Sequence, residues 1–342
     1  MRPLCYNYRY AEVSGVMAVY LVTGGCGFIG SHLCEALIVQ GHYIRVLDDL
    51  STGWIENLPR GVELLRGSVT DPELVNEAMA EVAGCFHLAA IASVERSTRE
   101  WLVSHRTNLS GTIAVLDAAR SVGDRRVPIV YASSAAVYGD CKQLPIRESN
   151  QVQPRSPYGA DKYGSELHAR IASELHGVPT IGLRLFNVYG PRQDPGSPYS
   201  GVISKFCDKL QNLEPIDVFG DGFQTRDFVF VTDVVTTMLA AMTRAEACSV
   251  ASSAVYNVCS GKRTTVLELA QLIAELTDCD LKIRWQPPRP GEIAHSCGDR
   301  RLVAHSLGLS SPVDLRSGLR STLSWMKEAE VVKLTRNLST SA

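Results

Sequence analysis

From Ala18 onward the chain alternates between short apolar runs and longer segments whose apolar residues recur every three or four positions. The run "AVYLVTG" gives way to the helical "SHLCEALIVQGH", then come "YIRVLDD", "VELLRGS", an amphipathic segment from Asp71 to Val82, and "GCFHLAA". A helical pattern from Val103 to Val122 follows, then "VPIVYAS", another helix from Pro157 to His176, and "TIGLRLF". Short runs rich in β-branched and aromatic residues read as strands, and the segments between them are long enough for helices. Apolar strands separated by helices predict an α/β fold, a doubly wound parallel sheet covered on both faces.

After Asn187 the texture changes. "YGPRQDPGSPYSG" is rich in Gly, Pro and Ser, and the alternation is lost until "FVFVTDVVTTMLAAM" restores one more unit. Beyond Arg263 come a helix "TVLELAQLIAELT", a short strand "LKIRW", the loop "QPPRPGEIAHS" and closing helices. The predicted organisation is a main domain over 17–186 plus about 223–262, and a smaller discontinuous C-terminal α/β lobe over about 187–222 plus 263–336. Residues 1–16 show neither period and are expected to form a disordered extension.

Composition narrows the function classes. The 342 residues, 45% hydrophobic, suffice for a large core and two lobes. The 34 basic and 36 acidic residues are mixed along the length, with a net charge of -2, which leaves no footprint for nucleic acid or an anionic membrane. No segment approaches the roughly 20 apolar residues of a membrane helix, and the N-terminus lacks the order of a signal peptide. A cytoplasmic location is expected. Ten cysteines at irregular spacing, without a C-x-x-C pair, read as reduced thiols used as small hydrophobes; Cys34, Cys85 and Cys259 are examples. The eight histidines show no metal-ligand spacing, and no metal is expected.

Two constellations carry chemistry. "VTGGCGFIGSH" follows the first strand and places Gly24, Gly27 and Gly30 where a tight turn opens a helix, with Phe28 and Ile29 inside the motif. Residues without side chains let a pyrophosphate reach the backbone at the positive helix end, and Asp48, 24 residues after Gly24, can bind the adenosine ribose diol. A dinucleotide site is favoured over a structural glycine turn. Asp48 would repel a 2'-phosphate, which favours NAD over NADP.

In "SPYGADKYGSE", Ser156 reads as an N-cap and Pro157 as the first helical residue, so Tyr158 and Lys162 lie four apart on one face. A nearby ammonium would favour the phenolate and make Tyr158 a base towards a sugar hydroxyl. Taken alone, the pair reads first as an ordinary amphipathic Tyr/Lys pair. "YASSAAVYGD" poses a similar choice: Ser133 and Ser134 are either a catalytic pair or small residues that end a packed strand.

The glycine motif, Asp48, "FHLAA", Asn108 in "TNLSGT", "SSAAVYG", "PYGADK" and "LRLFNVYGPRQDP" follow one another as in the extended short-chain dehydrogenase/reductase family. The chain resembles its NAD-dependent nucleotide-sugar epimerases, those acting on UDP-glucose and UDP-N-acetylglucosamine, from about Val19 to Val331. The resemblance implies a Rossmann domain binding NAD through the glycine motif, Asp48, Asp49, Ser68, Val69, Leu88, Ala89, Ala90, Asn108, Tyr158 and Lys162. It implies Tyr158 as the acid or base at the sugar O4, Lys162 on the nicotinamide ribose, Ser134 on the same hydroxyl and Ser133 in support. Asn187 would contact the sugar diphosphate, Arg226 and Arg289 would clamp it, and Phe219 would pack the uracil; read bare, both arginines would be solvated surface residues. A homodimer through the helices at Val103–Val122 and Pro157–His176 is the family default.

Four departures sharpen the expectation. Related 4,6-dehydratases carry an Asp-Glu pair where this chain has Ala135 and Ala136, which points away from elimination. "RQDPGSPYS" differs from the loop of glucuronate-processing relatives. Ser68 replaces an acid beside the adenine, and Ser296 stands where galactose-restricted epimerases often carry a bulky Tyr, leaving room for a 2-acetamido group. The expected function is a UDP-hexose 4-epimerase. The alternatives are a uronate epimerase, reductase or dehydratase, or an NAD-binding regulator without catalysis.

Overall fold

The computed structural model describes residues 17–120, 126–196, 201–247, 252–289 and 291–340, the last eleven of these by backbone alone. The expected extension 1–16 and the end of the helix expected to reach Val122 lie outside the described residues.

Alternate residues of β1, Val19–Thr23, belong to different cores: Tyr20 and Val22 join one apolar cluster and Leu21 the other. This period of two makes the strand apolar throughout, because both faces of its sheet are covered. α1 (Phe28–Val39), β2 (Tyr43–Asp48), β3 (Glu63–Arg66), α2 (Pro72–Met79) and β4 (Gly84–His87) follow. Next come α3 (Val94–Arg99), α4 (Trp101–His105), a π-helical turn (Arg106–Ser110), α5 (Gly111–Ala119), β5 (Ile129–Ser134), α6 (Pro157–His176) and β6 (Thr180–Leu185). The helix expected over Val103–Val122 therefore starts earlier and is widened around Asn108. Such a bulge has no apolar period of its own, and α3 is too short to show one.

β7 (Asn187–Tyr189), α7 (Val202–Gln211), β8 (Ile216–Phe219), β9 (Thr225–Arg226), β10 (Phe228–Phe230), α8 (Val231–Ala247) and β11 (Ser253–Val258) continue the chain. β12 (Thr264–Thr265), α9 (Val266–Thr277), β13 (Ile283–Gln286), α10 (Arg301–Leu307) and α11 (Leu315–Thr340) complete it. The seven-stranded sheet runs β11-β6-β5-β4-β1-β2-β3, with every pairing parallel. Its order reverses between β1 and β4, and crevices at such a switch point hold ligands.

One core, with Leu33, Val46, Phe86, Leu183, Val234 and Met238, packs α1 and α8 on the sheet. The other, with Val75, Val115, Ile129 and Ala169, packs α2, α5 and α6. A third unites Ile203, Phe206, Val218, Leu269, Ile273 and Leu319 from α7, β8, α9 and α11. Val229 of β10 points into the first core while Phe228 and Phe230 join the third. α10 packs Val303 into the first core, although its sequence position lies within the segment expected for the smaller lobe.

α6 is fixed by a buried ion pair. Glu166 accepts from Arg184 Nε and Nη2 at 2.9 and 2.7 Å and from Ser133 Oγ at 2.6 Å. The side chains of Arg184 and Glu166 are only 7% and 5% exposed. Arg184 Nη1 also donates to Tyr138 Oη at 2.8 Å and the Glu148 carbonyl at 3.2 Å. Removing one partner strands a buried charge, which costs about 3–5 kcal/mol, whereas an apolar pair of similar volume is often neutral. Arg184→Met should thus lower unfolding free energy by about 3–5 kcal/mol, with most of it recovered in Arg184→Met/Glu166→Met. Urea titrations compare the two; equal losses would show that the pair's charges do not matter.

Candidate active site

The turn after β1 leaves no room for side chains. Gly24 has φ +72°, and a Cβ there would sit 2.7 Å from Ala89 N. A Cβ on Gly30 would collide with the Gly24 carbonyl and lie 2.8 Å from Gly25 Cα. Gly27 is the N-cap of α1 and offers no side chain to the first N–H groups, and the first turn, with Phe28 and Ile29 half-buried, holds no acid. An uncapped, acid-free helix start beside bare backbone suits a pyrophosphate.

Asp48 braces the same turn: Oδ2 accepts from Cys26 N at 2.9 Å and Oδ1 from Leu50 N at 2.8 Å. Burial pushes its carboxyl up while these donors pull it down, and each oxygen keeps a lone pair for a ribose hydroxyl. Asp49 is exposed and caps Ser51 N at 2.9 Å. Ser68 is bound locally to Thr70, and Val69 is buried against Gly111. Leu88, Ala89 and Ala90 follow β4, half-buried. Asn108 grips Ile91 through both amide atoms, at 2.8 and 3.2 Å. These residues fit a dinucleotide on this structure's own geometry.

Ser134 ends β5 and Tyr158 opens α6, which brings the serine side chain close enough to act on the phenol; Ser134 Oγ also accepts from Ala136 N at 3.2 Å. Ser156 caps α6 through Gly159 N at 3.1 Å, as expected of the "SPYG" start. Gly159 must be small, because a Cβ would approach the Ala136 carbonyl to 2.7 Å. Lys162 Nζ donates to the Ala132 carbonyl at 2.9 Å and lies 5.9 Å from the centre of the Tyr158 ring. Burial pushes Tyr158 up, and the Ser134 hydrogen bond is the contact that pulls it down. Burial also lowers the lysine to about 8, so desolvation works against both charges of the pair. Ser133 needs correction as a catalytic candidate. It is 2% exposed and its hydroxyl is committed to Glu166.

Of the substrate candidates, Phe219 and Arg289 line one cavity with Glu292, the partner of Arg226. Arg226 Nη2 meets Glu292 Oε1 at 2.8 Å, and Nη1 donates to the Thr225 carbonyl at 2.9 Å. The Arg289 guanidinium covers the Phe219 ring at 3.9 Å from its centre, so one face expected for a base is occupied by a cation. Phe219, Gln224, Arg289 and Glu292 line a cavity of about 520 Å³, whose lining includes neither Tyr158 nor Ser134. Asn187 is exposed, and Ser296 is half-buried with its N–H on the Thr225 carbonyl at 3.1 Å.

A profile of the NAD dependent epimerase/dehydratase family matches residues 20–259. The chain belongs to that family. The UDP-glucose 4-epimerase of Mycolicibacterium smegmatis is 35% identical over 90% of this chain and 98% of its own length. The crystal structure of the Thermotoga maritima UDP-glucose 4-epimerase with UDP-glucose is 35% identical, covers 91% of this chain and 99% of its own, and has a TM-score of 0.85. A UDP-N-acetylglucosamine 4-epimerase from Methanobrevibacter ruminantium, with UDP-N-acetylmuramic acid, reaches 0.85 at 32% identity over 92% and 99% of the two chains. The family is chemically broad: a UDP-N-acetyl-alpha-D-glucosaminuronate decarboxylase of Bacillus cytotoxicus is 31% identical over 91% of this chain and 98% of its own. A solved NDP-hexosamine 5,6-dehydratase is 32% identical with a TM-score of 0.80 over 91% and 98%.

NAD is the family's cofactor, and the glycine turn, the bare start of α1 and Asp48 are the groups of this member that fit it. Sequence reasoning missed Ser97, which accepts from Tyr158 N at 3.2 Å, and Glu292 on Arg226. Glu166, one turn past Lys162 on the same face, carried a legible signal.

Lys162 has a folded-state pKa below its ordinary value, so between pH 8 and about 10.5 the unfolded chain holds more protons. Its contribution makes stability rise with pH across that window, by at most about 3 kcal/mol. Unfolding of the wild type and Lys162→Met along that pH range should show a difference that grows in favour of the wild type. Parallel curves would place the lysine at its ordinary value.

Proposed function

We propose that the chain is an NAD-dependent 4-epimerase of a UDP-hexose. What supports this reading is Tyr158 placed beside Ser134 and Lys162, with Ala135 and Ala136 directly after Ser134. Tyr158 and Ser134 can move one proton at a sugar hydroxyl, and the two alanines supply no further acid or base. Bound NAD supplies a hydride acceptor that can return the hydride to C4.

In this reading Tyr158 takes the O4 proton while Ser134 orients the hydroxyl, and Tyr158 gives it back once C4 has been reduced on its other face. Lys162 holds the nicotinamide ribose and places positive charge near the phenol; Asp48 holds the adenosine ribose. Arg226 and Arg289, with Asn187, bind the diphosphate, which keeps the 4-keto sugar tethered while it turns. Glu292 shares Arg226 with it. Phe219 packs the base on the ring face that Arg289 leaves free. Ser296 leaves space for a 2-acetamido group, so the substrates are UDP-Glc/UDP-Gal, UDP-GlcNAc/UDP-GalNAc or both pairs.

Two further assignments belong to this reading. The smaller lobe comprises the segments around β8 and α9, with α10 packed on the main sheet. The copy-to-copy contact is the face where Trp101, Leu102, Ile113, Leu167, Ile171 and Leu175 stand exposed on α4, α5 and α6, in a homodimer.

Incubation with UDP-glucose, UDP-galactose, UDP-GlcNAc and UDP-GalNAc, each without added reductant, should interconvert at least one pair. Tyr158→Phe should lower kcat by about 10²–10⁴-fold. Failure to convert any of the four, or full activity of the variant, overturns the proposal; dehydrated or decarboxylated products would favour the other branches of the family.

A further inference from the structure

His87, the last residue of β4, is 3% exposed and both ring nitrogens are engaged. Nδ1 lies 2.8 Å from Thr23 Oγ1, and Nε2 lies 3.0 Å from Thr112 Oγ1. Thr112 Oγ1 is in turn 2.6 Å from the Asn108 carbonyl, too short for two oxygens with no proton between them. The single Thr112 proton therefore goes to that carbonyl, and Thr112 must accept from Nε2–H. Nδ1 is then unprotonated and accepts from the Thr23 hydroxyl. The two lone pairs of Thr23 Oγ1 remain for Leu88 N and Ala89 N, both at 3.2 Å. The Leu88 N–H also reaches the Thr23 carbonyl at 3.1 Å and is shared between the two oxygens of Thr23. The opposite tautomer would leave the Thr23 proton without an acceptor, three donors on one oxygen, and the 2.6 Å contact without a proton.

Both ends of this chain lie at the site. Thr23 immediately precedes Gly24, whose backbone packs against Ala89. At the other end Thr112 and Asn108 belong to the helix beside α6, and Ser165 Oγ on α6 approaches the Asn108 carbonyl to 3.4 Å while donating to the Asp161 carbonyl at 3.0 Å, one residue before Lys162. We propose that His87 is a positioning residue, held as the neutral Nε2–H tautomer, that locks the dinucleotide turn to the helices carrying Asn108, Lys162 and Tyr158. Burial and the charge of Lys162 both disfavour the imidazolium, in keeping with this role. The proposal rests on the family's NAD chemistry and not on which sugar is turned over.

Histidine-selective ¹⁵N labelling of the full chain, with the His87 signals identified by their loss in His87→Gln or His87→Asn, reads the tautomer directly. A protonated Nε2 and bare Nδ1, constant from about pH 6 to about pH 8, are expected. A protonated Nδ1, or titration within that range, overturns the proposal. NAD affinity, measured without any sugar, is the second readout. His87→Phe fills the space but can neither accept from Thr23 nor donate to Thr112, and should weaken NAD by about tenfold or more; His87→Gln, whose amide can still donate to Thr112, should recover part. NAD affinity of His87→Phe within about twofold of the wild type would reduce the ring to packing and overturn the role. Because both readouts omit the sugar, their failure is distinct from failure of the epimerase reading.

Discussion

α6 buries a lysine, an aspartate and a glutamate, and each finds a partner on a neighbouring strand or helix. Lys162 takes the Ala132 carbonyl, Asp161 takes His105 at 2.8 Å, and Glu166 takes Arg184 and Ser133. An ionised group left unpaired in such surroundings is strongly disfavoured, so the helix has little freedom to slide or rotate against β5 and β6. Tyr158, in its first turn, is placed beside Ser134 as a consequence. The same burial that fixes the helix works against ionisation of Tyr158 and of Lys162, so the two are placed together at a cost in charge that their polar contacts only partly offset.

A second node lies between β9 and β10. Asp227, fully buried beside Arg226, accepts from Ser260 N and Oγ, both at 2.7 Å, from Gly261 N at 3.0 Å and from Gly298 N at 3.1 Å. One carboxylate thus gathers the turn after β11 and the segment just after Ser296. Ile146 bonds the same segment from the other side, to the Cys297 carbonyl and Asp299 N. Arg226 and Ser296 therefore take their positions from a shared scaffold, while Glu292 keeps the arginine oriented through an ion pair.

The elements whose periodicity is long and whose caps are local were legible in the sequence: α6 runs over the residues its Ser-Pro start and its Gly177 end dictate. The glycine turn and Asp48 were legible too, because both depend on neighbours along the chain. What could not be read are contacts made by folding alone. Nothing near Ser133 in sequence announces that its hydroxyl turns to Glu166, and the pairing of Arg226 with Glu292 spans 66 residues. The π-helical turn at Asn108 is likewise invisible, since one extra residue in a helix leaves the apolar pattern nearly unchanged. The Arg289–Phe219 stack joins two residues named separately in the sequence into a single feature.

The central claim is that C4 of the sugar is oxidised and reduced in place, with Tyr158 moving the O4 proton and no elimination or loss of carbon. The most direct measurement follows a UDP-hexose carrying deuterium at C4 through turnover in ordinary water, with mass and NMR analysis of both sugars. The account predicts an equilibrium mixture of two C4 epimers in which each keeps its deuterium at C4. Label lost to solvent, or a product lighter by water or carbon dioxide, would contradict it.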